Sequence, residues 1–85
     1  MKSFEYVIKD ELGIHARPAG LLVKTAKATG SKITIEKNGK TADASKLFAV
    51  MGLAVKQNDS IRVLAEGGDE AAASEKMREF FEANL

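Results

Sequence analysis

The chain contains no cysteine and no tryptophan, and only one histidine and one proline in 85 residues. Without cysteine it forms no disulfide and no thiolate metal centre, which fits a reducing compartment. A single histidine argues against a classical zinc site, so neither a metal nor a cofactor is expected. Charge is nearly balanced, with 13 lysines and arginines against 12 acidic residues. Bulk electrostatics therefore gives a nucleic acid no foothold. No segment approaches the ~18 consecutive apolar residues of a membrane-spanning helix. Met1 to Tyr6 lacks the apolar core of a signal peptide. Also missing are a G-x-x-x-x-G-K-[ST] phosphate loop, a paired-carboxylate motif and an assignable Ser/His/Asp set. The expectation is a cytoplasmic, unanchored protein that is not a stand-alone enzyme.

What remains is an ordinary globular composition, 45% apolar and 29% charged. The length suits one domain over residues 1–85. Phe4, Tyr6 and Ile8 alternate with Glu5, Val7 and Lys9, the period of a half-buried strand. After a loop at Asp10 to Gly13 the period lengthens. Ala19, Leu22, Val23 and Ala26 share one helical face, with Pro18 in the first turn and Gly30 past the end. Lys32 to Lys37 alternates again, with Ile33 and Ile35 inward. Asn38-Gly39 signals a tight hairpin that returns through Lys40 to Asp43, a segment polar enough for a sheet edge. Leu47 to Leu53 reads as a short helix capped by Asp43 or Ser45, with Leu47, Val50 and Leu53 toward the core.

Beyond a turn at Gln57 to Ser60, Ile61, Val63 and Ala65 form the inward side of another strand. Asp69 caps a last helix, Glu70 to Asn84, with an apolar stripe of Ala73, Met77, Phe80 and Phe81. The order β-α-β-β-α-β-α predicts an α+β fold. It is an open-faced β-sandwich, with a four-stranded antiparallel sheet and three helices on one face.

The chemistry concentrates in Gly13-Ile14-His15-Ala16-Arg17-Pro18-Ala19-Gly20. Proline three positions past the histidine sets His15 at a helix start, where backbone N–H groups lack partners and the peptide dipoles leave positive charge. A neutral imidazole is a competent nucleophile near pH 7. Arg17 adds a guanidinium suited to phosphoryl oxygens. These residues handle phosphate without completing an enzyme, so His15 is expected to relay a phosphoryl group between other proteins.

This stretch resembles the active-site signature of HPr, the histidine-containing phosphocarrier family of the bacterial phosphoenolpyruvate:sugar phosphotransferase system. Asn38-Gly39-Lys40 and the Leu47 to Leu53 segment sit at the family's spacing, and the resemblance spans essentially the whole chain. It implies that His15 accepts phosphate at Nδ1 from phospho-enzyme I and passes it to the A domains of enzymes II. It also implies that Arg17 contacts the phosphoryl group and that the amides of Ala16 and Arg17 donate to it. The alternative is an HPr-like regulatory module that acts by protein–protein binding in catabolite or nitrogen regulation.

Several partners in turn require a shared apolar patch with a basic rim, on a protein expected to be a monomer. Gly20, Leu21, Leu47, Phe48, Met51 and Gly52 are the candidates for the patch, and Lys24, Lys27 and Lys46 for the rim. Phe48 and Met51 stand out because a short helix cannot bury every apolar group of Leu47 to Leu53 on one face. Many Gram-positive members carry a regulatory serine where this chain has Lys46. Ser45, one residue earlier, is the only candidate phosphosite for an HPr kinase/phosphorylase feeding a catabolite regulator, and it reads better as a helix cap.

Overall fold

A computed structural model describes residues 1–85. The alternating segments form strands β1 (Lys2–Val7), β2 (Lys32–Lys37), β3 (Lys40–Asp43) and β4 (Ser60–Glu66). The helix-period segments form α1 (Ala16–Ala28), α2 (Leu47–Gly52) and α3 (Glu70–Asn84). The sheet order is β1-β4-β2-β3, antiparallel at every pairing. The last strand therefore inserts between the first two, and β1 and β2 run parallel to each other across it. This split arrangement joins β1 to β2 through α1 and closes the sheet with α3.

The period of two decides which face is covered. Phe4, Val63, Ile35 and Ala42 lie side by side across the sheet, and all four are buried. The neighbouring positions Glu5, Arg62, Glu36 and Thr41 form the matching row on the bare face. There Arg62 lies between two carboxylates, 3.5 Å from Glu5 and 3.8 Å from Glu36. These are exposed pairs of small energetic value.

The covered face holds one apolar cluster from all seven elements and their loops. Phe81 of α3 is at its centre. Its ring meets Phe4 at 6.3 Å and Tyr6 at 5.5 Å between centroids. The Tyr6 hydroxyl donates to the Phe81 carbonyl at 3.0 Å. Burial raises the Tyr6 pKa, and the Glu82 carboxylate adds to the shift. Truncating a buried phenylalanine of this kind costs about 3–5 kcal/mol.

The tight hairpin has the expected chemistry, with φ of 50° at Asn38 and 82° at Gly39, as a mirror-image type I turn requires. Asp69 caps α3 by accepting the Ala72 amide at 3.1 Å. Helix α1 begins at Ala16, which places Pro18 third, within the first turn as expected. Two details differ from the sequence reading. Helix α2 is capped by Lys46 without any side-chain hydrogen bond, and neither Asp43 nor Ser45 caps it. The Asp43 carboxylate instead accepts the Ser45 amide at 2.9 Å and its hydroxyl at 2.7 Å, a local turn that competes with capping. Second, Val50 and Leu53 of the α2 segment are buried, whereas Leu47 faces outward. With the helix starting at Leu47, the turn from Val50 to Leu53 meets the core and Leu47 falls beside Phe48 and Met51.

Candidate functional site

His15 is the N-cap of α1, with extended backbone (φ −98°, ψ −178°). Its carbonyl accepts the first helical bond, from Ala19 at 2.9 Å. Pro18 has no N–H. The amides of Ala16 and Arg17 are therefore the two donors of the first turn that the chain itself leaves unpaired. No acidic residue occupies that turn. The helix itself therefore supplies no carboxylate to offset its positive end.

The loop before the helix is fixed from two sides. The Asp10 carboxylate accepts the Leu12 amide at 2.8 Å, and the Ile14 amide donates to the Val55 carbonyl at 3.1 Å. Ile14 itself is buried. The carbonyl of Leu85 accepts from Lys9 at 2.7 Å and Asp10 at 3.0 Å, which ties the end of α3 to the same loop. The His15 ring is held in partial exposure above this anchored backbone, 37% accessible.

His15, Arg17, Pro18 and Leu21 share a shallow open cleft of about 230 Å³ with Asp10 and Asn84. The His15 Nε2 lies 3.8 Å from Asp10 Oδ1, longer than a hydrogen bond but close enough for charge to be felt. Nδ1 is the ring nitrogen not turned to that carboxylate. Arg17 is exposed and takes part in none of the chain's five ion pairs, which leaves its guanidinium free for an anion. The sequence reading named His15, Ala16 and Arg17 for the site and did not name Asp10 and Asn84 for it, which line the same cleft as His15 and Arg17. Asp10 had no signal beyond its place in the preceding loop. Asn84 had none at all, because only the fold brings residue 84 to residue 15.

The predicted docking residues divide by location. Helices α1 and α2 pack against each other. Leu21 on the first and Leu47, Phe48 and Met51 on the second are the large apolar side chains exposed on these helices, Phe48 at 85%. Gly20 and Gly52 are exposed, with open space where a Cβ would be. Lys24 is exposed on α1 and Lys46 at the N-cap of α2. Lys27 is also exposed, but at about 1.5 Å per residue it stands roughly 16 Å along α1 from its start, at the end away from His15. Ser45 is half-buried and hydrogen-bonded to Asp43. The Ser45 hydroxyl and then its amide lower the Asp43 pKa, with further help from the Lys46 and Lys32 charges. No helix is long and apolar enough to cross a membrane, and no cluster of potential metal ligands occurs.

Comparison with known proteins bears on this geometry. The family model described as the PTS HPr component phosphorylation site matches residues 2–83. An HPr crystal structure from Thermoanaerobacter tengcongensis is 37% identical, with a TM-score of 0.92 over 98% of this chain and 93% of that one. The histidine-containing phosphocarrier protein of a mycoplasma is 34% identical, with a TM-score of 0.89 over 93% and 90% of the two chains. Bacillus subtilis Crh, a catabolite-repression protein whose crystal structure is a domain-swapped dimer, is 31% identical, with a TM-score of 0.78 over 94% and 92%.

Proposed function

The chain belongs to the HPr phosphocarrier family of the bacterial phosphotransferase system, and on that premise we propose that His15 receives a phosphoryl group from phospho-enzyme I and passes it to enzyme II A domains. The observation that carries the proposal is the placement of His15 beside two unpaired amides and a free arginine at one helix start. The lone pair of Nδ1 attacks phosphorus and an N–P bond forms. The bond from phosphorus to the donor breaks, and its electron pair leaves with the donor. The ring gains positive charge as this happens, and the Asp10 carboxylate near Nε2 offsets it. The same carboxylate favours the tautomer with the proton on Nε2, which frees the Nδ1 lone pair.

Arg17 and the amides of Ala16 and Arg17 neutralise the phosphoryl oxygens. Phosphoryl transfer asks the protein mainly for positioning and charge stabilisation, so a carrier needs no complete catalytic set. The partner supplies the rest. Leu21, Leu47, Phe48 and Met51 form its apolar contact, flanked by Gly20 and Gly52. Lys24 and Lys46 speed encounter with acidic partner surfaces.

A second reading, regulation by binding alone, draws support from the likeness to Crh. The Ser45 branch of that reading is weakened by Asp43, since a phosphate on Ser45 would set its charge against a carboxylate already bonded to that hydroxyl. The deciding experiment incubates the protein with phosphoenolpyruvate and enzyme I, wild type beside His15→Ala. Acid-labile, base-stable phosphate on the wild type alone is the expected result. No transfer from a competent enzyme I overturns the carrier role and leaves the binding module.

A further inference from the structure

We infer that Lys37 is a positioning residue for His15: its ammonium holds the loop on which the histidine segment is seated, together with the end of the helix that carries Phe48 and Met51. The inference rests on the proposed carrier role of His15. Lys37 lies at the end of β2, and its side chain is only 17% exposed. Its Nζ is 2.8 Å from the Ala54 carbonyl oxygen, 3.4 Å from that of Leu53 and 2.9 Å from the Asp59 carboxylate. The three ammonium protons thus meet three acceptors. Leu53 is the C-cap of α2 and Ala54 follows it, at the helix end where carbonyls lack partners and the dipole is negative.

Asp59 also accepts the Lys56 amide at 2.8 Å, and its own amide donates to the Lys56 carbonyl at 3.0 Å. The contacts of Lys37 therefore bracket Val55, one just before it and one closing the turn just after it. Val55 is what the histidine segment is keyed to. Its carbonyl oxygen accepts the Ile14 amide, and Gly13 packs on the same oxygen.

Ala54 has φ +52°, a left-handed conformation that an alanine does not choose unaided. The bend needs an outside hold, and the Lys37 ammonium on the Ala54 carbonyl provides it. Without that charge the Val55 carbonyl, the Ile14 amide and the free amides of the α1 start would shift together. Displacements of about 1 Å are enough to slow transfer by an order of magnitude or more.

Lys37→Met keeps the length and removes the charge, and Lys37→Arg keeps the charge. Each is measured well below its melting temperature, for phosphoryl transfer from enzyme I and for hydrogen exchange at the Ile14 amide. Lys37→Met is expected to lower kcat about tenfold with a smaller change in KM. It is also expected to speed Ile14 exchange, and Lys37→Arg to restore most of both. Should Lys37→Met fail to fold, Asp59→Asn removes one of the three anchors and is expected to act in the same direction at lower amplitude. A wild type that accepts no phosphate overturns the carrier reading. A competent wild type beside a folded variant with unchanged kcat and unchanged Ile14 exchange overturns the positioning role alone.

Discussion

Gly13 is pressed against the carbonyl oxygen of Val55: a Cβ on it would stand 2.2 Å from that oxygen and 2.7 Å from the Lys56 Cα. Its φ of +65° is also one that a side chain disfavours. Both neighbouring atoms are backbone, so nothing can swing aside. Gly13→Ala is expected to cost about 2 kcal/mol or more in urea denaturation. It should also slow transfer in the molecules that remain folded, because Ile14 and His15 must move with it. Wild-type stability with full transfer would show that the loop is not held in this way.

Arg17 makes a different prediction, because its side chain is exposed and forms no ion pair. Arg17→Ala should change folding stability by no more than an ordinary surface substitution does, about ±0.5 kcal/mol. Transfer to and from His15 should fall by about tenfold or more, as expected when a charge-assisted hydrogen bond to phosphate is lost. Lys at the same position should recover only part of the rate, since it lacks the planar fork. Stopped-flow transfer kinetics beside thermal melts measure both quantities. A loss of stability as large as the loss of rate would return Arg17 to a structural role.

The contrast between these residues also marks how far the sequence could be read. Periodicity set the strands and helices because each has one clear apolar face. Ile33 and Ile35, Ile61 and Val63, and Met77 and Phe81 all point where the pattern put them. Asn38-Gly39 and Asp69 announced their turn and cap through residue type alone. His15 and Arg17 were legible because a helix start has a local signature. Asn84 and Lys37 were not, because each reaches its place through contacts across the fold, and Asp10 was not, because a loop aspartate carries no pattern that aims it at His15. The capping of α2 was misread for a related reason. Asp43 and Ser45 are both good caps, and they bonded to each other instead.

Acid should loosen the loop that seats the histidine segment. The Lys56 amide and then the Lys37 ammonium hold the Asp59 pKa below the usual aspartate value, with the Lys37 and Lys56 charges contributing. A depressed folded-state pKa means stabilisation that is complete above the ordinary carboxylate range and lost as pH falls below it. Asp43, lowered by Ser45, adds a loss of the same sign in the same window. The melting temperature is therefore expected to be flat from neutral pH to about pH 5 and to fall steeply toward about pH 3. Asp59→Asn should lower stability at neutral pH and make the acid decline shallower. An Asp59→Asn melting curve parallel to the wild type throughout would exclude this carboxylate as a source of the acid sensitivity.

Phe48 separates docking from folding most sharply. A phenylalanine that is 85% exposed on α2 contributes little to the core, whose nearest members in that segment are Val50 and Leu53. Its ring is not isolated on the surface, since Leu47 and Met51 are exposed on the same short helix and Leu21 on the neighbouring α1. An apolar group of this size that gains little from folding is available to a partner under the proposed docking role, and interface centres favour aromatic and methionine side chains. Phe48→Ala is expected to change folding stability by no more than about 0.5 kcal/mol. It should weaken productive encounter with enzyme I or an enzyme II A domain by at least about fivefold, the scale of a 1 kcal/mol interface contact. The loss should appear as a higher KM with nearly unchanged kcat, since the ring touches the partner and not the phosphoryl group. A kcat defect at unchanged KM would place Phe48 with the His15 chemistry, and equal damage to stability and transfer would return it to packing.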